Sequence, residues 1–170
     1  MIYDLINWGK LRKAILYALL LLLALAVQEL LCSRITLLGV RPMFLPAVIV
    51  ALGMFEGPVW GCLFGLFYGL IWDQAVNTIV LHGCLFAAVG FLAGLSSIYF
   101  INRRMFAYLC AAVCAILLCG LAEGIHVLLT GAGLLPVLVT VLLQALWSLP
   151  LAFLFYFPFR SLGRRKPEDL

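Results

Sequence analysis

The sequence predicts an all-α integral membrane protein: six transmembrane helices in one compact bundle, with residues 1–170 forming a single domain. Three observations carry that expectation. Hydrophobic residues make up 66% of the 170 and charged residues only 11%, where soluble domains carry about 25% charged. Six apolar segments recur along the chain, each near the about 20 residues that a membrane-crossing helix needs. The lysines and arginines gather on alternate connections, as an oriented multi-pass chain requires.

The first segment, near 14–32, follows "MIYDLINWGKLRK". Its basic flank, apolar run and "ALA" mimic a secretory signal. Met1 is retained and five further apolar segments follow, so the run reads as an uncleaved first helix. The second segment, near 38–55, is interrupted at its start by Arg41, Pro42 and Pro46. Proline fits best in a first helical turn, so this helix is expected to be short, tilted or preceded by irregular backbone sheltered by the bundle. The remaining helices are expected near 58–76, 79–101, 105–129 and 134–159.

With the N-terminus inside, the cytoplasmic side collects Lys10, Arg12, Lys13, Arg103, Arg104, Arg160, Arg164, Arg165 and Lys166. The outside collects only Arg34 and Arg41. This bias predicts an even number of crossings and two cytoplasmic termini. The net charge of +4 then reflects orientation in a lipid bilayer and not nucleic-acid binding. The tail "RSLGRRKPEDL" reads as a stop-transfer flank able to touch anionic headgroups.

The six cysteines lie in or beside apolar runs, with no CxxC pair and no Cys/His cluster at zinc spacing. They read as small buried hydrophobes. No phosphate loop, HExxH or GxSxG occurs, so neither catalysis nor a metal or other cofactor is expected.

Charge in lipid is costly, by at least about 2.5 kcal/mol on insertion scales, so each intramembrane ionisable group needs a reason. On the topology above most of them fall at the outer end. Gln28 and Glu29 close helix 1, Asp73 closes helix 3, and Asn77, Thr78 and His82 open helix 4. Glu123, His126 and Thr130 lie in the outer third of helix 5, and Arg34 and Arg41 stand where they could pair with these acids. Gln144 lies deep in helix 6, and Glu56 is the exception at the inner end. The outer cluster reads either as an outward pocket or docking site, or as interfacial residues with internal salt bridges. Glu123 and His126 share a helix face as E-x-x-H, but di-iron bundles need two such motifs. His82, with no Cys or Ser arranged as a nucleophile, reads as structural.

The stretch "GPVWGCLFGLFYGLIWD" places Gly57, Gly61, Gly65 and Gly69 four apart and ends on Asp73. Residues four apart share a helix face, so the glycines form a smooth stripe along which another backbone can come close. Helix 4 repeats the theme in Gly83, Gly90 and Gly94, and helix 1 offers a smaller step at Ala14 and Ala18. The stripe meets either a sister helix or a partner subunit, and a helix 3–4 hairpin is the favoured reading. Asp73 is then expected beside His82 and within reach of Glu123.

"RPMFLPAVIVALGMFEGPVWGCLFGLFYGLIWDQ" followed by "LHGCLFAAVGFLAGL" resembles the rod shape-determining protein MreD family. Its members have an Arg/Lys-Pro entry to a hydrophobic helix, a helix of the form G-x3-G-x3-GL-x2-D, and a further helix ending in G-[FY]-L-x-G. Here these are Arg41-Pro42, then Gly61, Gly65, Gly69, Leu70 and Asp73, then Gly90-Phe91-Leu92-Ala93-Gly94. The chain departs at Met43, where members often carry a polar residue, in lacking an extra glycine in "DQAVNTIVLHGC", and at His82.

The resemblance implies a non-enzymatic scaffold of the cell-elongation machinery in the bacterial cell membrane. Its partners would be the bitopic protein MreC, the glycosyltransferase RodA with a penicillin-binding transpeptidase, and the MreB filament. It also implies a fold similar to the S-components of energy-coupling-factor transporters. A vitamin-capture subunit is therefore the rival reading. The short outer connections, such as "TGAGLLP" at 130–136, leave little to close over a ligand.

Overall fold

The computed structural model describes residues 8–32, 40–76, 81–99, 105–129, 131 and 133–164. Arg34, Asn77, Thr78, Arg103, Arg104, Thr130, Arg165 and Lys166 lie outside the described residues, as do the side chains of Lys10, His126 and Arg164. The described chain is helical nearly throughout. Helix α1 spans Trp8–Val27 and widens into a π-helical turn at Gln28–Cys32. Then come α2 (Leu45–Glu56), α3 (Pro58–Val76), α4 (Leu81–Tyr99), α5 (Met105–Leu129) and α6 (Leu134–Arg164).

Of these six helices, α1, α4, α5 and α6 are long and apolar enough to cross a membrane. Four of the six expected crossings are thus matched by spans found among the described residues, and α2 and α3 are not among those four. Helix α2 has 12 residues, about 18 Å at 1.5 Å each, against a hydrocarbon core of about 30 Å. Helix α3 has 19 residues, about 28 Å at 1.5 Å each.

The second helix begins at Leu45 and not near residue 38. Arg41 precedes a proline, which disfavours helical backbone there, and residues 41–44 are not helical. Pro42, Met43 and Phe44 are nonetheless buried, so their backbone groups need partners. Gln28, from the π turn, donates through Nε2 to the Pro42 carbonyl at 2.6 Å and accepts the Phe44 N–H on Oε1 at 3.2 Å. The Met43 N–H donates to Ser148 Oγ on α6 at 2.9 Å. Pro46 sits in the first turn of α2, where its missing N–H costs nothing.

Helix α2 is the axis of the molecule. Every residue from Leu45 to Phe55 is buried, and α2 touches all five other helices. Around it the core closes through ring pairs: Phe44 on Phe155 at 5.2 Å between centroids, and Tyr108 on Tyr156 at 5.0 Å. Tyr108 also donates its hydroxyl to the Ala152 carbonyl at 3.0 Å, joining α5 to α6. Gly57 turns α2 into α3 with φ +100°, a backbone conformation that glycine adopts without the usual Cβ penalty.

Candidate functional site

The closest packing in the molecule is the α3–α4 hairpin, and glycines create it. A Cβ added at Gly65 would run into the Phe86 carbonyl of α4, and one at Gly69 into the backbone of His82 and Gly83. Further along, a Cβ on Gly61 would lie 2.8 Å from the Gly53 Cα and 2.5 Å from the Gly90 carbonyl oxygen. Gly94 lies equally close to the backbone of Gly57 and Pro58. The smooth faces of α3 and α4 are therefore pressed on each other, backbone to backbone, and α2 joins them at one crossing.

Two members of this seam differ from their sequence reading. A Cβ on Gly57 would meet nothing within 4 Å, so this position needs glycine for its positive φ and not for packing. Gly53 was missed, although a Cβ there would strike the Gly90 carbonyl. The signal was present in the sequence, because Gly53 stands four residues before Gly57. A ladder that begins at Gly57 starts one step late, because Gly53 reads as part of a separate helix.

The seam ends in a polar cluster that ties three helices together. Asp73, the carboxylate on the last turns of α3, is 3% exposed. Its Oδ1 accepts the His82 backbone N–H at 3.1 Å and its Oδ2 accepts the Gly83 N–H at 2.9 Å. It thus caps α4 from a neighbouring helix, satisfying two of the N–H groups that a helix start leaves without partners. The positive end of the α4 dipole favours the anion there. His82 is 1% exposed and bridges two carboxylates, Nδ1 to Asp73 Oδ1 at 2.7 Å and Nε2 to Glu123 Oε1 at 2.8 Å. Each N···O line must hold one proton, since two facing lone pairs at that distance would repel. Both ring nitrogens are engaged, which leaves neither for a metal. The cluster therefore fastens α3, α4 and α5 by charge-assisted hydrogen bonds.

The rest of the predicted outer cluster is more dispersed. Glu29 and Arg41 are exposed, and Pro42 is buried with its carbonyl on Gln28. Arg41 makes no ion pair among the described residues. Two of the acids it was expected to meet, Asp73 and Glu123, are held by His82 instead. Gln28 and Ser148 clamp the stretch before α2, and composition cannot reveal their partners, which lie 14 to 105 residues away in sequence.

A family model described as rod shape-determining protein MreD matches residues 10–166. This chain belongs to the MreD family. Comparison with curated proteins and with solved structures gave no match. The residues on which the sequence resembles that family, Gly61, Gly65, Gly69 and Asp73 with Gly90 and Gly94, lie in the seam and in the cap of α4. Membership places the chain in rod shape determination, a structural role, and its long apolar helices make it a membrane protein.

Proposed function

We propose that this MreD-family chain is a non-enzymatic scaffold subunit of the bacterial cell-elongation machinery in the cytoplasmic membrane. In this reading both termini are cytoplasmic and all six helices traverse the bundle, α2 completing its path with the extended residues before it. The chain recognises an MreC-like bitopic protein through membrane helices. It thereby positions a RodA-type glycosyltransferase and its penicillin-binding transpeptidase along the lateral wall, with the MreB filament on the cytoplasmic side.

The observation that carries the reading is the division of labour on α3. Its glycine face is filled by α4, so a partner cannot use it. Its opposite face carries Leu63, Phe67 and Ile71, which are 52%, 68% and 42% exposed. A helix whose inner face is locked against its neighbour presents that outer face in a fixed position, which suits recognition of a partner helix. Seam, cap and central α2 together form a rigid support, in keeping with a scaffold.

Depleting the protein in its native host should turn rods into spheres, and wild-type chain should restore them. Phe67→Ala with Leu63→Ala should reduce co-purification of the MreC-like partner while the protein still accumulates in the membrane. Unchanged rod shape on depletion would overturn the role in shape. Wild-type partner capture by the double variant would overturn the assignment of the α3 face.

A further inference from the structure

At the end of the bundle opposite His82, a cavity of about 220 Å³ opens between α1 and α3. Lys13, Tyr17 and Glu56 line its polar part, and Ala14, Trp60 and Phe64 its apolar part. We propose that this cavity binds the headgroup of a membrane phospholipid carrying a primary amine, its phosphate on Lys13 and its ammonium on Glu56.

The ion pair that lines the cavity is unsaturated. Lys13 Nζ lies 2.6 Å from Glu56 Oε1, and Tyr17 donates its hydroxyl to the same oxygen at 2.7 Å. The two charged side chains are only 14% and 17% exposed. Groups withdrawn this far from water ordinarily fill their hydrogen-bonding capacity. Among the described residues, this ammonium with three donors has one carboxylate contact, and both contacts to Glu56 fall on Oε1. The remaining capacity is for an acceptor beside Lys13 and a donor beside Glu56. A phosphate joined to a primary ammonium supplies both at once.

The aromatic wall fits the same ligand. Trp60 and Phe64 stack with centroids 5.8 Å apart beside the carboxylate, and an indole face attracts a cation. Size limits the alternatives. The volume is below the about 300–1,000 Å³ of pockets that hold drug-sized ligands, and a helix is about 10 Å across. Beyond the cavity the Tyr68 hydroxyl donates to the Ala18 carbonyl at 2.7 Å, tying α3 to α1. Depth points to a lipid as the source. Lys13 lies two residues inside the apolar span that begins at Leu11, about 3 Å along the helix at 1.5 Å per residue, which is headgroup level.

The test uses the full chain in detergent, with phosphatidylethanolamine, phosphatidylcholine or phosphatidylglycerol added and adducts counted by native mass spectrometry. The choline headgroup has no N–H to donate, and the glycerol headgroup has no cation. The ethanolamine lipid should be retained at least about tenfold over either, the scale of one charge-assisted hydrogen bond. Glu56→Gln keeps an oxygen for Tyr17 and should bring ethanolamine lipid down to the choline level. Ala14→Phe should fill the cavity and remove the adduct with every charge in place. Elution as a single species and an unchanged helical circular dichroism spectrum verify the fold of both variants. Equal retention of the three lipids, preference for the glycerol lipid, or full retention by either variant would overturn the proposal. Displacement by soluble phosphoethanolamine at the same concentration as intact lipid would overturn the lipid as the source.

Discussion

Replacing Gly65 with alanine adds one methyl group where α3 meets the backbone of α4. The new Cβ would lie 2.7 Å from the Phe86 carbonyl carbon and 3.0 Å from the Ala87 nitrogen, where ordinary contact begins at 3.4 Å. The Phe86 carbonyl oxygen is closer still and no flexible side chain stands in the way to swing aside, so the hairpin must open by about 1 Å. A gap of about 0.5–1 Å already forfeits a quarter to a half of each neighbouring dispersion contact. Overpacking of this kind costs about 1–3 kcal/mol, and a backbone collision belongs near the top of that range. Alanine returns about 1 kcal/mol of helix propensity, so the net loss is about 2 kcal/mol, roughly a thirtyfold change in the folding equilibrium.

Cys119 is fully buried and supplies the reporter. With the other cysteines replaced, a thiol-reactive dye labels it only as the bundle opens during a thermal ramp in detergent. The midpoint should fall by about 5 °C. Gly83→Ala is the control, because its Cβ would meet the tip of Leu70 at 3.2 Å, a side chain that can turn away. That variant should melt at or above wild type. If Gly65→Ala melts with the control, the backbone seam is not what holds α3 to α4.

Three further variants use the same reporter. Asp73→Ala uncaps α4 and strips a carboxylate from buried His82, and should destabilise by about 3 kcal/mol. Glu123→Gln should lose only about 1 kcal/mol, since its side chain is 38% exposed. The reverse order would refute the capping role. Gln28→Leu leaves the Pro42 carbonyl and the Phe44 N–H without their partner. It should cost about 1 kcal/mol, the scale of polar contacts inside membranes, and it should speed hydrogen exchange at Phe44.

The composition and the run lengths determined the class and the helices. The bounds of α3 and α5 coincide with the expected segments, because a helix in lipid must satisfy its own backbone and so follows the apolar run. The glycine ladder also announced a close approach, since four-residue spacing alone aligns residues on a helix face. Its partner, the α4 backbone, became visible only when the hairpin was closed. The tertiary structure decided the rest. It shortened α2 to a buried axis, since Pro42 and Pro46 forbid an earlier start and the clamp from Gln28 and Ser148 is long-range. It gave Gly57 a conformational role and Gly53 a packing one, by placing the turn at Gly57 so that α2 brings Gly53 against Gly61 and Gly90. It also made His82 the partner of Asp73 and Glu123, and joined Lys13 to Glu56. Sequence spacing ranks neighbours within one helix, whereas these pairings cross helices and depend on where each helix is packed.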